Sequence, residues 1–364
     1  MDCPQIEIIE QPGFFDRVKS SGKRNPLSGS LEVTFRCNLR CAHCYVGDSR
    51  YSSPTSPELT TFEIKNLLDQ VSEAGCLWML LTGGEPLLRP DLPDIYLYSR
   101  QLGLLTTLFT NGTLITSRFA DLLAKQPPKG VEITLYGATK QTYERVTGIP
   151  GSFEKCMRGI QLLVERSVPL KLKTVLLTLN HSELDAMHSL SDSFGLEGFR
   201  YDPMIAGRLD RTGHAVSTRL TAEEIIALDF ADPKRLAEWA ELYAPRRDKP
   251  SSQGNRYYQC GAGKDTFHID PYGQMSVCIL SRARTYNLCN GSFQEGWDGF
   301  IKQESERLSL NINPCAACDK IALCGKCAGR TELEPNGEKS DDPFYCRLGH
   351  LRASAITSTY SVRS

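Results

Sequence analysis

From residue 31 to about 205 the chain alternates short apolar runs with amphipathic ones, and few folds accept that alternation. The runs "SLEVTF", "LWMLLTGG", "LLTTLFTNGT", "GVEITLYGA", "LKLKTVLLTLN" and "GFRYDPMI" read as strands. Helical segments separate them. In the first, "TTFEIKNLLDQVSEAG", Ile64, Leu67, Leu68 and Val71 share one face between a threonine start and a glycine stop. Six βα-type units predict a parallel sheet with crossover helices. A partial barrel and a doubly wound open sheet both satisfy the pattern. The flanking segments divide the chain further: an N-terminal extension over 1–30, a polar helical bridge over 206–259, a cysteine-dense domain over 260–348, and a tail over 349–364. Within the bridge, "TAEEIIALDFADPKRLAEWAELYA" reads as one or two helices and "PRRDKPSSQGN" as an exposed linker.

The 14 cysteines are many for a chain of this kind. The N-terminus "MDCPQIEIIEQ" has no apolar stretch behind a basic start. No apolar run approaches the roughly 18 residues of a membrane span. The expectation is therefore a cytoplasmic protein without a membrane partner. A reducing compartment disfavours structural disulfides, so the thiols point to metal or redox chemistry. With 42 basic residues against 43 acidic ones and no basic cluster, nucleic acid is not expected either. Cys3, Cys76 and Cys156 stand alone and read as ordinary small or buried residues.

Cys37, Cys41 and Cys44 form a C-x3-C-x2-C set directly after the first strand. Soft thiolates select zinc, copper(I) or iron–sulfur clusters. A structural zinc wants four ligands, and His43 is the available fourth. Three cysteines on a loop suit a cubane with one open iron. This motif resembles that of the radical SAM superfamily, in which the open iron chelates S-adenosylmethionine and an electron from the cluster yields a 5′-deoxyadenosyl radical. The resemblance extends to "LTGGEPLL", which carries Gly83, Gly84, Glu85 and Pro86, and to "FTNGT", with Asn111. It implies S-adenosylmethionine contacts from these residues, from His43 near the adenine, from Thr134 at the ribose, from Lys173 or Lys171 at the carboxylate, and from Arg200 or Asp202. Tyr136 stands where relatives more often carry Asp.

The last third holds Cys260, Cys278, Cys315, Cys318, Cys324, Cys327 and Cys346. Paired C-x2-C knuckles alone would suit a zinc ribbon. Behind the first motif they resemble the SPASM extension, except that the last short spacing is x2 rather than x3. The implied architecture is α/β: a partial (β/α)6 radical SAM barrel with a C-terminal cysteine-rich SPASM domain. The implied cofactors are one radical SAM 4Fe-4S cluster, two auxiliary 4Fe-4S clusters and S-adenosyl-L-methionine. One auxiliary cluster would use Cys260, Cys278 and Cys327, the other Cys315, Cys318, Cys324 and Cys346. The first either keeps an open iron or borrows Cys289. Enzymes of this subgroup mostly modify peptides and proteins, so the expected partners are a precursor peptide or protein, a separate small leader-peptide-binding protein, and an electron donor such as flavodoxin or ferredoxin. An anaerobic sulfatase-type maturase is an alternative, although Ile279 stands where those enzymes carry an acid. Cofactor or haem biosynthesis is another, and a non-catalytic zinc scaffold a third. No residue is singled out as catalytic acid or base.

Overall fold

The computed structural model describes residues 24–47, 57–244, 256–309, 315, 318–334 and 343–361. The expected linker at 245–255 and residues 1–23 of the N-terminal extension lie outside the described residues. Six strands follow one another: β1 (Ser28–Glu32), β2 (Trp78–Thr82), β3 (Leu105–Thr110), β4 (Gly130–Thr134), β5 (Leu170–Val175) and β6 (Arg200–Asp202). Each lies parallel beside the next, so spatial order equals chain order. A doubly wound sheet reverses its order at a switch point. The arrangement here is instead the unclosed (β/α)6 barrel, which settles the choice the alternation leaves open.

The strands carry a period of two. Met79, Leu81, Leu108, Val131, Ile133 and Leu172 are buried under the crossover helices. The alternate positions, among them Phe109, Glu132, Thr134, Lys173 and Arg200, lie on the opposite face. Helix Thr61–Glu73 buries the expected Ile64, Leu67, Leu68 and Val71, and Thr60 with Glu63 closes a capping box at its start. One helix is unexpected. Lys140–Thr147 sits between β4 and helix Ser152–Val164, capped by Thr139 and stopped by Gly148 at φ 67°. Its one short, mostly polar stretch gives little periodicity to read.

The cysteine-rich part does not stand off from the barrel. Strand β7 (Thr266–Ile269) pairs in parallel with β1, and β8 (Gln274–Ser276) and β9 (Tyr286–Asn287) continue the sheet antiparallel. Gly29 makes the junction possible, since a Cβ there would lie 2.2 Å from the ring of Phe267. Beyond β9, residues 293–305, Ile321–Cys324 and Ala328–Leu333 are helical. The last described helix is Pro343–Ser361. Its Ala353 and Ile356 join Tyr243 and Leu323 in a second small core. Its buried Arg352 pairs at 2.7 Å with Asp229 of helix Ala222–Ala231. No helix among the described residues is long and apolar enough to cross a membrane.

Candidate active site and cluster-binding cysteines

The loop leaving β1 carries Cys37, Cys41 and Cys44 and is clasped by the end of β2. Gly84 N donates to Thr34 O and Glu85 N to Arg36 O, both at 2.8 Å. A Cβ on Gly84 would sit 2.4 Å from the carbonyl oxygens of Phe35 and Arg36, and one on Gly83 2.3 Å from Thr34 O. The two glycines therefore let two backbones touch. The buried Glu85 carboxylate accepts from Thr110 Oγ1 at 2.7 Å, Asn111 N at 2.8 Å and Leu87 N at 3.0 Å. Burial pushes its pKa up, with these donors pulling the other way. Pro86 opens the single 3-10 turn Pro86–Leu88. Asn111 Nδ2 donates to Asn38 Oδ1 at 2.9 Å, and Asn38 Nδ2 to Thr113 Oγ1 at 2.8 Å, tying the end of β3 to the same loop.

The three thiols converge on Tyr136. Its hydroxyl is pushed well above the usual range, first by burial and then by Cys41, Cys44 and Cys37. The His43 ring packs 5.2 Å from that of Tyr136. Thr134 and Lys173 are register partners across β4 and β5. Lys173 Nζ lies 2.9 Å from Glu132 and over the ring of Phe109, while Arg200 Nη2 reaches the other Glu132 oxygen at 3.0 Å. Burial lowers the Lys173 pKa, against the pull of Glu132. Lys173 and Arg200 thus share a carboxylate that the sequence reading missed. Its signal was a glutamate between Val131 and Ile133 in an otherwise apolar strand.

The C-terminal cysteines fall into two groups. The Cys278 thiol is raised by burial and then by neighbouring Cys327 and Cys260. Cys324 is pushed up to about 11, first by burial, with Cys315, Cys318 and Cys346 adding to it. Cys289 lies against Gly273 and Tyr272, and its thiol is raised by burial, Glu63 and Asp270. Among the described residues, no three His, Cys, Asp or Glu side chains converge as a single-ion site. A cubane spreads its thiolates over separate irons, so the all-sulfur grouping fits clusters of that kind.

A buried charge network joins the cysteine loop to the C-terminal segment. Glu32, fully buried at the end of β1, lies 2.7 Å from Arg282 Nη1 and 3.3 Å from His268 Nε2, and accepts from the Tyr45 hydroxyl. Burial alone would raise the Glu32 pKa. Arg282 and His268 overcome it and hold it down at about 2. Beside this network opens a cleft of about 240 Å³, walled by Phe35, Leu209, Arg211, Asp270, Arg282 and Glu332 among others. None of these charged groups was legible as a site from spacing.

Residues 31–190 match the model of the radical SAM superfamily. The chain is 36% identical to the AdoMet-dependent heme synthase of Methanosarcina barkeri, over 86% of this chain and 94% of that protein. It is 28% identical to the mycofactocin maturase MftC of Mycobacterium tuberculosis, over 89% of this chain and 82% of the relative. Streptococcus suis SuiB, solved bound to the precursor peptide SuiA, has the same fold at a TM-score of 0.69 and 17% identity, covering 92% of this chain and 79% of SuiB. The chain belongs to the radical SAM superfamily, within its SPASM-bearing subgroup.

Proposed function

We propose that this radical SAM enzyme takes a hydrogen atom from one residue of a ribosomally made peptide or protein, installing a crosslink or an oxidative rearrangement. The observation that carries the reading is the cleft beside Phe35. At about 240 Å³ it suits a single side chain. The identity to MftC over most of both chains supports the same reading.

Cys37, Cys41 and Cys44 would hold the cluster, leaving one iron for S-adenosylmethionine. When bound, the pair supplies a 5′-deoxyadenosyl radical. The Gly83–Gly84 backbone, with Glu85 and Pro86 fixing its course, would meet the methionine end. His43, Asn111, Thr134, Lys173 and Arg200 would line the remainder. Cys260, Cys278 and Cys327 would hold one auxiliary cluster and Cys315, Cys318, Cys324 and Cys346 the other, each able to take up an electron from the oxidised substrate. A flavodoxin or ferredoxin would supply the reducing electron, and a small leader-binding protein would deliver the peptide.

The test is anaerobic incubation with dithionite, S-adenosylmethionine and short peptides encoded beside the gene, read by mass spectrometry and by 5′-deoxyadenosine release. One peptide should change mass in step with deoxyadenosine. Replacing Cys37, Cys41 and Cys44 together by alanine should abolish deoxyadenosine while most of the iron stays bound. Undiminished release from that variant would sink the assignment. A second reading, tetrapyrrole chemistry, is favoured by the 36% identity to a heme synthase. Conversion of Fe-coproporphyrin III in the same assay, with every peptide unchanged, would replace the first reading by the second.

A further inference from the structure

We infer that Arg330 is a cluster contact: its Nε–H donates to a sulfur of the auxiliary cluster held by Cys260, Cys278 and Cys327. The inference rests on the assignment of those cysteines to one cluster, made above. It adds a residue that the cysteine spacing does not contain, and it is independent of which substrate the enzyme takes.

The segment Cys324-Gly325-Lys326-Cys327 joins the two C-terminal sulfur groups, with only two residues between a cysteine of one and a cysteine of the other. A backbone amide fixes each end. Lys326 N donates to Cys324 Sγ and Arg330 N to Cys327 Sγ, both at 3.4 Å. Gly325 turns the chain between them at φ 69°. Its carbonyl accepts from Arg330 Nη1 at 3.0 Å, so the guanidinium lies against the link itself. The Tyr345 hydroxyl, whose pKa is raised first by burial, feels both the Arg330 cation and the Cys327 sulfur.

The three nitrogens of the guanidinium are engaged differently. Nη1 is bonded to Gly325 O, and Nη2 lies 3.7 Å from Asp202 Oδ2 at the end of β6. Nε is buried and has no hydrogen-bond partner among the described residues. A strut between β6 and the link would use only the two outer nitrogens, which leaves Nε unexplained. A buried donor without an acceptor is destabilising, and an arginine cannot shed its proton to escape the penalty. The thiolates and sulfides of an iron–sulfur cluster are acceptors, and hydrogen bonds to them help to set its reduction potential. A charge-assisted donor favours the more negative, reduced form and so raises that potential. Asp202, an anion beside the same guanidinium, acts in the opposite sense.

The test is pulsed EPR of the anaerobically reduced, full-length holoprotein grown with arginine labelled with nitrogen-15. One arginine nitrogen should show hyperfine coupling to a reduced auxiliary cluster. That coupling should vanish in Arg330→Gln and in Arg330→Lys, and Cys327→Ala should remove it together with the signal of its cluster. In a redox titration Arg330→Gln should shift the midpoint potential of that cluster to more negative values. Arg330→Lys, which keeps the charge without Nε–H, should restore only part of the shift, and Asp202→Asn should shift the potential the other way. Iron and sulfide counts report whether each variant keeps its clusters. Absence of arginine coupling in the wild-type spectrum overturns the inference, and so does a wild-type potential in Arg330→Gln at full iron content. If Arg330→Gln loses iron, the labelled wild-type spectrum decides alone. A coupling that survives Cys327→Ala overturns the cluster assignment and the inference with it. Lack of the coupling in wild-type protein whose auxiliary signal does depend on Cys327 removes Arg330 alone and leaves the assignment standing.

Discussion

Gly84 shows what single residues do here. The motif around it was legible as a string, but the string does not say why glycine is needed. The structure supplies the reason: carbonyl oxygens of Phe35 and Arg36 fill the space a methyl group would take. Neither backbone can yield without moving the other, because the Gly84 and Glu85 amides are bonded across the same gap. Gly84→Ala should therefore destabilise the apoprotein by about 1–3 kcal/mol, the range for overpacking. It should also reduce iron bound by the first cysteine loop. Denaturant unfolding and iron analysis check both. Cysteines are legible in sequence because their spacing along the chain carries the information. Glu32 and Arg282 were not, because each is explained only by a partner far away in the chain.

At the scale of elements, the βα alternation was legible because one side of each strand lies under helices and the period of two survives in the residues. The helix Lys140–Thr147 was not, being short and largely polar. The helix Pro343–Ser361 escaped for a different reason. It packs against several neighbours, so its apolar residues do not gather in one stripe. The junction between β1 and β7 depends on a glycine the alternation gives no reason to notice. Phe267 is 2% exposed and is held edge-on by Phe293 at 4.8 Å, so its ring has little room to withdraw from a larger residue at Gly29. Gly29→Val should loosen the β1–β7 pairing. Hydrogen exchange should accelerate at β7 and β8 well before it does at β3 and β4, and equal protection in both pairs would contradict this account.

For the whole molecule, the buried pair of Glu32 and Arg282 with His268 makes stability depend on pH. Burial lowers the His268 pKa from 6.5. A group depressed in the folded state contributes stability that is fully present above its unfolded pKa and is lost as pH falls through the folded value. Wild-type apoprotein should therefore lose stability between pH 7 and pH 5.5 with a contribution from this ring of at most about 1.4 kcal/mol per pH unit. His268→Gln should flatten that part of the curve, as denaturant midpoints across the range will show. The sheet has one more consequence. Strand β1 launches Cys37 and strand β8 launches Cys278, and only β7 stands between them. Strand β8 runs antiparallel to β7 and so against β1, and the chain leaves the two strands in opposite directions. Hydrogen bonds, not a hinge, join them, so the first cysteine loop and the start of the second sulfur group are fastened to one continuous sheet.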